Sequence, residues 1–134
     1  MEARTRILIA DDDARIRHSL RALVEDLTGL DVVAEAEDGE AAIRAVALHQ
    51  PDIVLMDIRM PRLNGLEATA RLKREAPHAR VLIVSVHSAR EFARHALRAG
   101  ARGYVSKDTT RAELETAIRV ISRGGVYIGS HEGQ

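Results

Sequence analysis

Apolar residues in this chain follow two alternating rhythms. Short, nearly unbroken apolar runs sit at residues 6–10, 31–36, 53–56, 81–84 and 102–105. Between them, apolar side chains recur every three or four residues, the spacing of one helical face. Residues 13–27 place Ile16, Leu20, Leu23, Val24 and Leu27 on such a face, and Gly29 closes it. Asp38 is placed to cap a helix over 39–49, with Ala42, Ile43, Val46 and Ala47 inward and Pro51 as its stop. The Asn64-Gly65 turn leads into a helix that runs to about 75 and is closed by Pro77. Ser88-Ala-Arg-Glu91 and Thr110-Arg-Ala-Glu113 both read as capping boxes. The first opens a helix with Phe92, Ala93, Ala96 and Leu97. The second opens one with Leu114, Ala117, Ile118 and Ile121.

Strands that alternate with helices predict a parallel sheet covered on both faces. Ile53-Val-Leu-Met56 is apolar without alternation, as a doubly covered strand should be. The expected fold is α/β: a doubly wound, flavodoxin-like (βα)5 domain with a five-stranded parallel sheet in the order 2-1-3-4-5. Residues 1–123 would form this domain. Residues 124–134 would be a tail, the expected start of an interdomain linker.

Charge narrows the partners. Twenty basic residues balance twenty acidic ones, which removes any overall attraction to nucleic acid or anionic membrane. The Arg15, Arg17, Arg21 and Arg90, Arg94, Arg98 runs read as solvated faces with acidic partners. The absence of cysteine excludes disulfides, thiolate metal sites and a cysteine nucleophile. The histidines form no H-x-x-x-H pair, so no zinc site is expected. With neither a signal peptide nor a membrane span visible, the expectation is a cytoplasmic protein with no membrane partner.

The chemistry collects at strand ends. Asp11-Asp12 follow the first strand, Asp57 the third, Ser85 the fourth, and Lys107 comes just after the fifth. In a doubly wound sheet these ends converge where ligands bind. Alone, each has an ordinary reading: a helix N-terminus for the Asp11-Asp12-Asp13 triplet, a turn for Asp57, a small polar residue for Ser85, a surface lysine for Lys107. Together they form three carboxylates that repel one another unless a cation joins them. A hard divalent ion suits oxygen donors, and Mg2+ commonly takes one or two carboxylates plus phosphate oxygens. A nucleophilic carboxylate, a metal, a lysine and a hydroxyl are what a phosphoryl group on Asp57 would need.

The motifs Ile7-Leu-Ile-Ala-Asp11-Asp12, Met56-Asp57-Ile-Arg-Met-Pro61, Asn64-Gly65, Val84-Ser85 and Gly103-Tyr104-Val-Ser-Lys107 resemble those of bacterial two-component response-regulator receiver (CheY-like) domains. The similarity extends from Arg6 to about Arg123. Asp38-Gly39, Gly100-Ala-Arg-Gly-Tyr104 and Lys107-Asp108 are similar to the NarL/FixJ-like branch, whose members usually continue into a LuxR-type helix-turn-helix domain.

The resemblance implies roles. Asp57 would accept phosphoryl from a sensor histidine kinase. Asp12 and Asp57 would hold Mg2+, with Asp11 acting through water and Arg59 through its backbone carbonyl. Lys107 and Ser85 would contact the phosphoryl group, and Tyr104 would be the partner switch. Arg59, Val86 and His87 occupy positions expected to tune phosphoryl lifetime. DNA would be reached only through an output domain outside this chain, and a homodimer is a further expectation. Such a protein catalyses only its own phosphorylation and dephosphorylation.

Other classes remain. A stand-alone receiver would act by protein contact alone. An aspartyl-phosphate phosphatase would want a second acid two residues after the nucleophile, where Arg59 stands. A flavodoxin-like cofactor protein would want a Ser/Thr/Gly loop after the first strand, where three aspartates stand.

Overall fold

The computed structural model describes residues 4–86 and 89–129, without the side chains of residues 89–91. Five strands alternate with five helices: β1 (Thr5–Ala10), α1 (Ala14–Glu25), β2 (Leu30–Ala36), α2 (Gly39–His49), β3 (Ile53–Met56), α3 (Gly65–Glu75), β4 (Arg80–Ser85), α4 (Ala89–Ala99), β5 (Gly103–Ser106) and α5 (Arg111–Ser122). A sixth, two-residue strand, β6 (Tyr127–Ile128), follows. All pairings are parallel, in the order β2-β1-β3-β4-β5-β6.

The expected order of the first five strands is found, but the sheet has six strands rather than five. Gly124, at φ 92, turns the chain after α5. The Tyr127 N–H then donates to the Arg102 carbonyl at 3.0 Å, and the Gly129 N–H to the Tyr104 carbonyl at 2.7 Å. A two-residue strand lacks the length for a readable alternation, so its pattern was invisible in the sequence.

The unbroken apolar strands make sense once both faces are seen. Along each strand, successive side chains point to opposite sides. Leu8, Val54, Met56, Val81, Ile83 and Tyr104 pack with α2, α3 and α4. Ile7, Ile9, Ile53, Leu55, Leu82, Val84 and Val105 pack with α1 and α5. Each fully buried aliphatic side chain contributes roughly 1.5–3 kcal/mol of transfer free energy. The resulting core holds the strand ends in fixed register, and the site depends on that register.

Helix faces follow the predicted spacing with few departures. Leu20, Val24, Leu114, Ala117, Ile118 and Ile121 are buried. In α2, however, Ala47 is exposed while Ala41 and Ala45 pack against the core instead. In α4, Leu97 stays 38% exposed.

The caps also differ. The reciprocal capping box belongs to α3: Asn64 Oδ1 accepts from the Glu67 N–H at 2.8 Å, and Glu67 Oε1 accepts from the Asn64 N–H at 3.0 Å. At α5 only half of the predicted box forms: Thr110 Oγ1 accepts from the Glu113 N–H at 3.0 Å, while the Glu113 carboxylate is engaged elsewhere. The predicted Ser88 box lies outside the described residues.

The basic runs divide. Arg17 and Arg21 both pair with Glu35, at 3.1 and 2.5 Å. Arg94 and Arg98 on α4 are exposed and without an ion pair among the described residues. No helix among those residues is long and apolar enough to cross a membrane.

Candidate functional site

The ends of β1, β3, β4 and β5 meet at one edge of the sheet. Backbone pairing carries each strand just past its last formal residue. The Asp11 N–H donates to the Ala36 carbonyl at 3.0 Å, the Asp57 N–H to the Ala10 carbonyl at 2.9 Å, and the Lys107 N–H to the Ser85 carbonyl at 2.8 Å. Side chains at positions 11, 57, 85 and 107 therefore inherit the rigidity of the sheet.

Asp11 and Asp57 are buried, at 1% and 6% exposure, while Asp12 faces solvent. One carboxylate oxygen from each lies within 4.8 Å of the other two. Lys107 reaches into the group. Its Nζ is 2.8 Å from Asp11 Oδ2 and 3.3 Å from Asp57 Oδ2. The remaining oxygens of the two buried acids are held by backbone: Asp11 Oδ1 accepts from the Asp13 N–H at 2.9 Å, and Asp57 Oδ1 from the Ile58 N–H at 2.8 Å. Asp13 itself caps α1, accepting from the Arg15 N–H, as its place after the pair suggested.

One lysine does not balance three carboxylates. Burial, then the negative charge of Asp11, pushes the Asp57 carboxyl above the ordinary aspartate range, against the pull of Lys107 and the Ile58 N–H. Burial also works against the Lys107 ammonium. Its hydrogen bond to Asp11 and the charge of Asp57 outweigh that, and hold it above the ordinary lysine value. The cluster thus carries an excess of negative charge in a confined, mostly dry place. Its donors are all hard oxygens, and Asp12 opens it to water. This donor set suits a hydrated divalent cation.

The loop that follows Asp57 depends on glycine. The Gly65 N–H donates to the Ile58 carbonyl at 2.7 Å. A Cβ on Gly65 would sit 1.8 Å from the Asp57 carbonyl oxygen, so no other residue leaves that backbone in place. Thr69 Oγ1 donates to the Gly65 carbonyl at 2.6 Å and ties the start of α3 down. Asn64-Gly65 was legible as a turn and as one of the receiver-like motifs. Its closeness to Asp57 is a tertiary fact that spacing does not carry.

Residues 7–119 match the response regulator receiver domain family. The chain belongs to that family. It is 38% identical over 127 residues to the transcriptional regulatory protein DegU of Brevibacillus brevis, covering 95% of this chain and 54% of that protein. It is also 38% identical over 129 residues to the response regulator GacA of Pseudomonas viridiflava, covering 96% of this chain and 60% of that protein. The chain therefore spans little more than half the length of these curated relatives.

Among solved structures, a LuxR-family two-component response regulator from Aurantimonas sp. SI85-9A1 superposes with a TM-score of 0.90 at 39% identity, covering 96% of this chain and 91% of that one. The signal receiver domain of the response regulator NarL from Mycobacterium tuberculosis gives 0.87 at 32% identity, covering 92% and 99%. The receiver domain thus falls in the LuxR/NarL group of two-component signalling proteins.

Within this receiver domain the other sequence-predicted positions fall as follows. Ser85 is fully buried at the end of β4 and pairs in register with Ser106. Tyr104 is wholly buried in β5, ring and hydroxyl alike, packed in the cluster that Phe92 and Ala93 also join. Val86 is 71% exposed beside the site. Arg59 is exposed and lines an open cleft of about 550 Å³ with Asp12, Met60, Pro61 and Asn64. His87 lies outside the described residues.

Proposed function

We propose that Asp57 is the phosphoacceptor of this receiver domain, taking a phosphoryl group from a phosphohistidine on a sensor histidine kinase. One Asp57 carboxylate oxygen bonds to phosphorus as the P–N bond of the donor breaks, and the imidazole leaves with a proton from solvent. The observation that carries this reading is Lys107 Nζ set between Asp11 and Asp57, at 2.8 and 3.3 Å, with Asp12 beside them. Half-buried and held by both carboxylates, that ammonium needs little reorganisation to meet the charge that develops on the phosphoryl oxygens.

The donor set fits Mg2+, which Asp12, Asp57 and the Arg59 carbonyl would hold. Both oxygens of Asp11 are already engaged, by Lys107 and by the Asp13 N–H, which suits a role through water. When bound, Mg2+ would neutralise charge on the phosphoryl oxygens in transfer. The Ser85 hydroxyl would contact the product, and buried Tyr104 would be its partner in the switch. Phosphorylation adds about −1.5 to −2 charge and strong acceptor oxygens. That addition need only bias two pre-existing arrangements of the α4, β5 and α5 face. Arg59 and Val86 border the site, and these two together with His87 would tune phosphoryl lifetime. The match covers only 54% and 60% of the two curated relatives described above, and one is named as a transcriptional regulator. We take the switch to govern a DNA-binding output domain, with residues after 123 leading to it and pairing of two copies among its outcomes. Function in the cytoplasm follows from that role.

The phosphatase reading lacks its second acid, since the place two after Asp57 is Arg59, exposed on the cleft.

Incubation with Mg2+ and phosphoramidate, followed by intact mass, tests the assignment. Wild type should gain one phosphoryl group, and Asp57→Asn none. Equal gain in both, or none in either, removes Asp57 from the role.

A further inference from the structure

Glu113 does more than begin a helix. Its two carboxylate oxygens accept hydrogen bonds from hydroxyls on two different segments. Oε1 accepts from Thr109 Oγ1 at 2.6 Å, and Oε2 accepts from the Tyr127 hydroxyl at 3.0 Å. Thr109 stands two residues after Lys107, and Tyr127 begins β6. One carboxylate thus joins the loop that carries the site lysine to the last strand of the sheet.

Both joined segments are otherwise tightly held. The 106–109 turn closes on itself, with the Thr109 N–H on the Ser106 carbonyl at 3.0 Å and the Ser106 hydroxyl on Asp108. At its start, the Lys107 N–H sits on the Ser85 carbonyl at 2.8 Å. Displacement of Ser85 or Lys107 would therefore move the turn as a unit and carry Thr109 with it.

The strand is seated just as closely. A Cβ on Gly103 would lie 2.7 Å from the Tyr127 carbonyl oxygen. A Cβ on Gly129 would lie 3.2 Å from Glu113 Oε2 and 3.3 Å from the Tyr104 carbonyl oxygen. Glycines at both contacts let β6 approach β5. A two-residue strand gains little from its own ladder. The side-chain tie to Glu113 is then a substantial part of what keeps it docked, and Tyr127 is the residue of β6 that packs on the α1–α5 side of the core.

We propose that Glu113 is a positioning residue that couples the Lys107 turn to β6, so that phosphoryl occupancy at Asp57 changes how firmly the chain is held where it leaves the sheet at Gly129. This rests on Asp57 being the phosphoacceptor. Coupling between sites is reciprocal, so the docking of β6 must also bias the site. Residues that follow Gly129 would receive the signal through this tie, directly from the turn that holds the site lysine.

Amide hydrogen exchange at Tyr127 and Gly129 tests the coupling in the 134-residue chain, with and without beryllofluoride and Mg2+. Fluorine NMR reports independently whether beryllofluoride is bound. The expected result is a change of about fivefold or more in exchange at both amides on binding. Thr109→Val and Tyr127→Phe should each abolish that change, while Thr109→Ser, which keeps the hydroxyl, should retain it. A merely structural tie would lower protection in both states and leave the beryllofluoride-induced change intact, which overturns the proposal. Bound beryllofluoride with unchanged exchange in wild type also overturns it and leaves the phosphoacceptor reading standing. No bound beryllofluoride in wild type defeats both, and the fluorine spectrum shows which failure occurred.

Discussion

The two ends of the parallel sheet treat charge in opposite ways. At the end where the strands begin, charges are matched to backbone. Arg6 Nη1 donates to the His49 and Gln50 carbonyls at 2.6 and 2.8 Å, and Asp52 Oδ2 accepts from the Arg6 N–H at 2.8 Å. Arg80 Nη1 donates to the Ser122 carbonyl at 3.1 Å, and Arg119 Nη2 to the Thr28 carbonyl at 3.3 Å. These groups close helix ends and loops. Where the strands finish, three carboxylates share one ammonium, and Asp57 is pushed toward its neutral form. Matched charge marks structure here, and unmatched buried charge marks a place that awaits another ion or group.

The sharpest way to break this contrast is to disturb the loop after Asp57 without touching a charge. Gly65→Ala puts a Cβ 1.8 Å from the Asp57 carbonyl oxygen, so the loop must move. We expect a loss of about 3 kcal/mol of stability and phosphorylation slowed at least a hundredfold, since misplacing reacting groups by about 1 Å is that costly. Urea unfolding and intact-mass time courses measure the two effects. Wild-type phosphorylation rates would show that the loop tolerates displacement and that its geometry does not set the reaction.

Next in size is the removal of one cation from each end. Lys107→Met leaves two buried carboxylates facing each other without a counter-charge and should cost about 3 kcal/mol. Mg2+ should restore part of that loss. Arg6→Met removes hydrogen bonds to two carbonyls and should cost about 1 kcal/mol, with no response to Mg2+ and unchanged phosphorylation. Lys107 is held above the ordinary lysine value of 10.5 despite its burial. Its contribution is therefore complete below that value and is lost only as pH rises through the higher folded-state value. Equal losses at the two ends, with equal Mg2+ response, would erase the distinction.

Much of this was legible in the sequence because it rests on local pattern. Strands β1 to β5, the five helices and the strand-end position of Asp57 all follow from period, caps and turn residues. What escaped was tertiary. β6 is too short to show a period. Thr110 and Glu113 have capping-box spacing, yet Glu113 bonds outward to Thr109 and Tyr127 because those hydroxyls are brought to it by β5 and β6. Ala47 follows the apolar spacing of α2, but faces out because the contact on that helix is made by Ala41 and Ala45. Asp11 and Asp57 are adjacent only through the β1–β3 pairing. A linear reading reaches that pairing only through a fold hypothesis.

The smallest effect has the opposite sign to that of the ion-paired carboxylates Glu35 and Asp38, which are held below their ordinary values. Asp57 is raised above the ordinary aspartate value of 3.8 by burial first and by Asp11 second. The folded state then binds more protons than the unfolded state as pH climbs from that value to the folded-state one. Stability from this group therefore falls with rising pH, and its full cost stands above the folded-state value. Asp57→Asn removes that cost and should raise stability at neutral pH, while it should abolish phosphorylation. The gain should shrink as pH falls through the folded-state value and vanish below 3.8, where the wild-type carboxyl is protonated in both states. Mg2+ should narrow it too, because the wild-type cluster binds the ion better than the variant. Urea unfolding of both proteins across the acid range, with and without Mg2+, measures the difference. A variant less stable than wild type at neutral pH would mean that the Lys107 contact outweighs burial and repulsion, and that this end of the sheet is as well matched as the other.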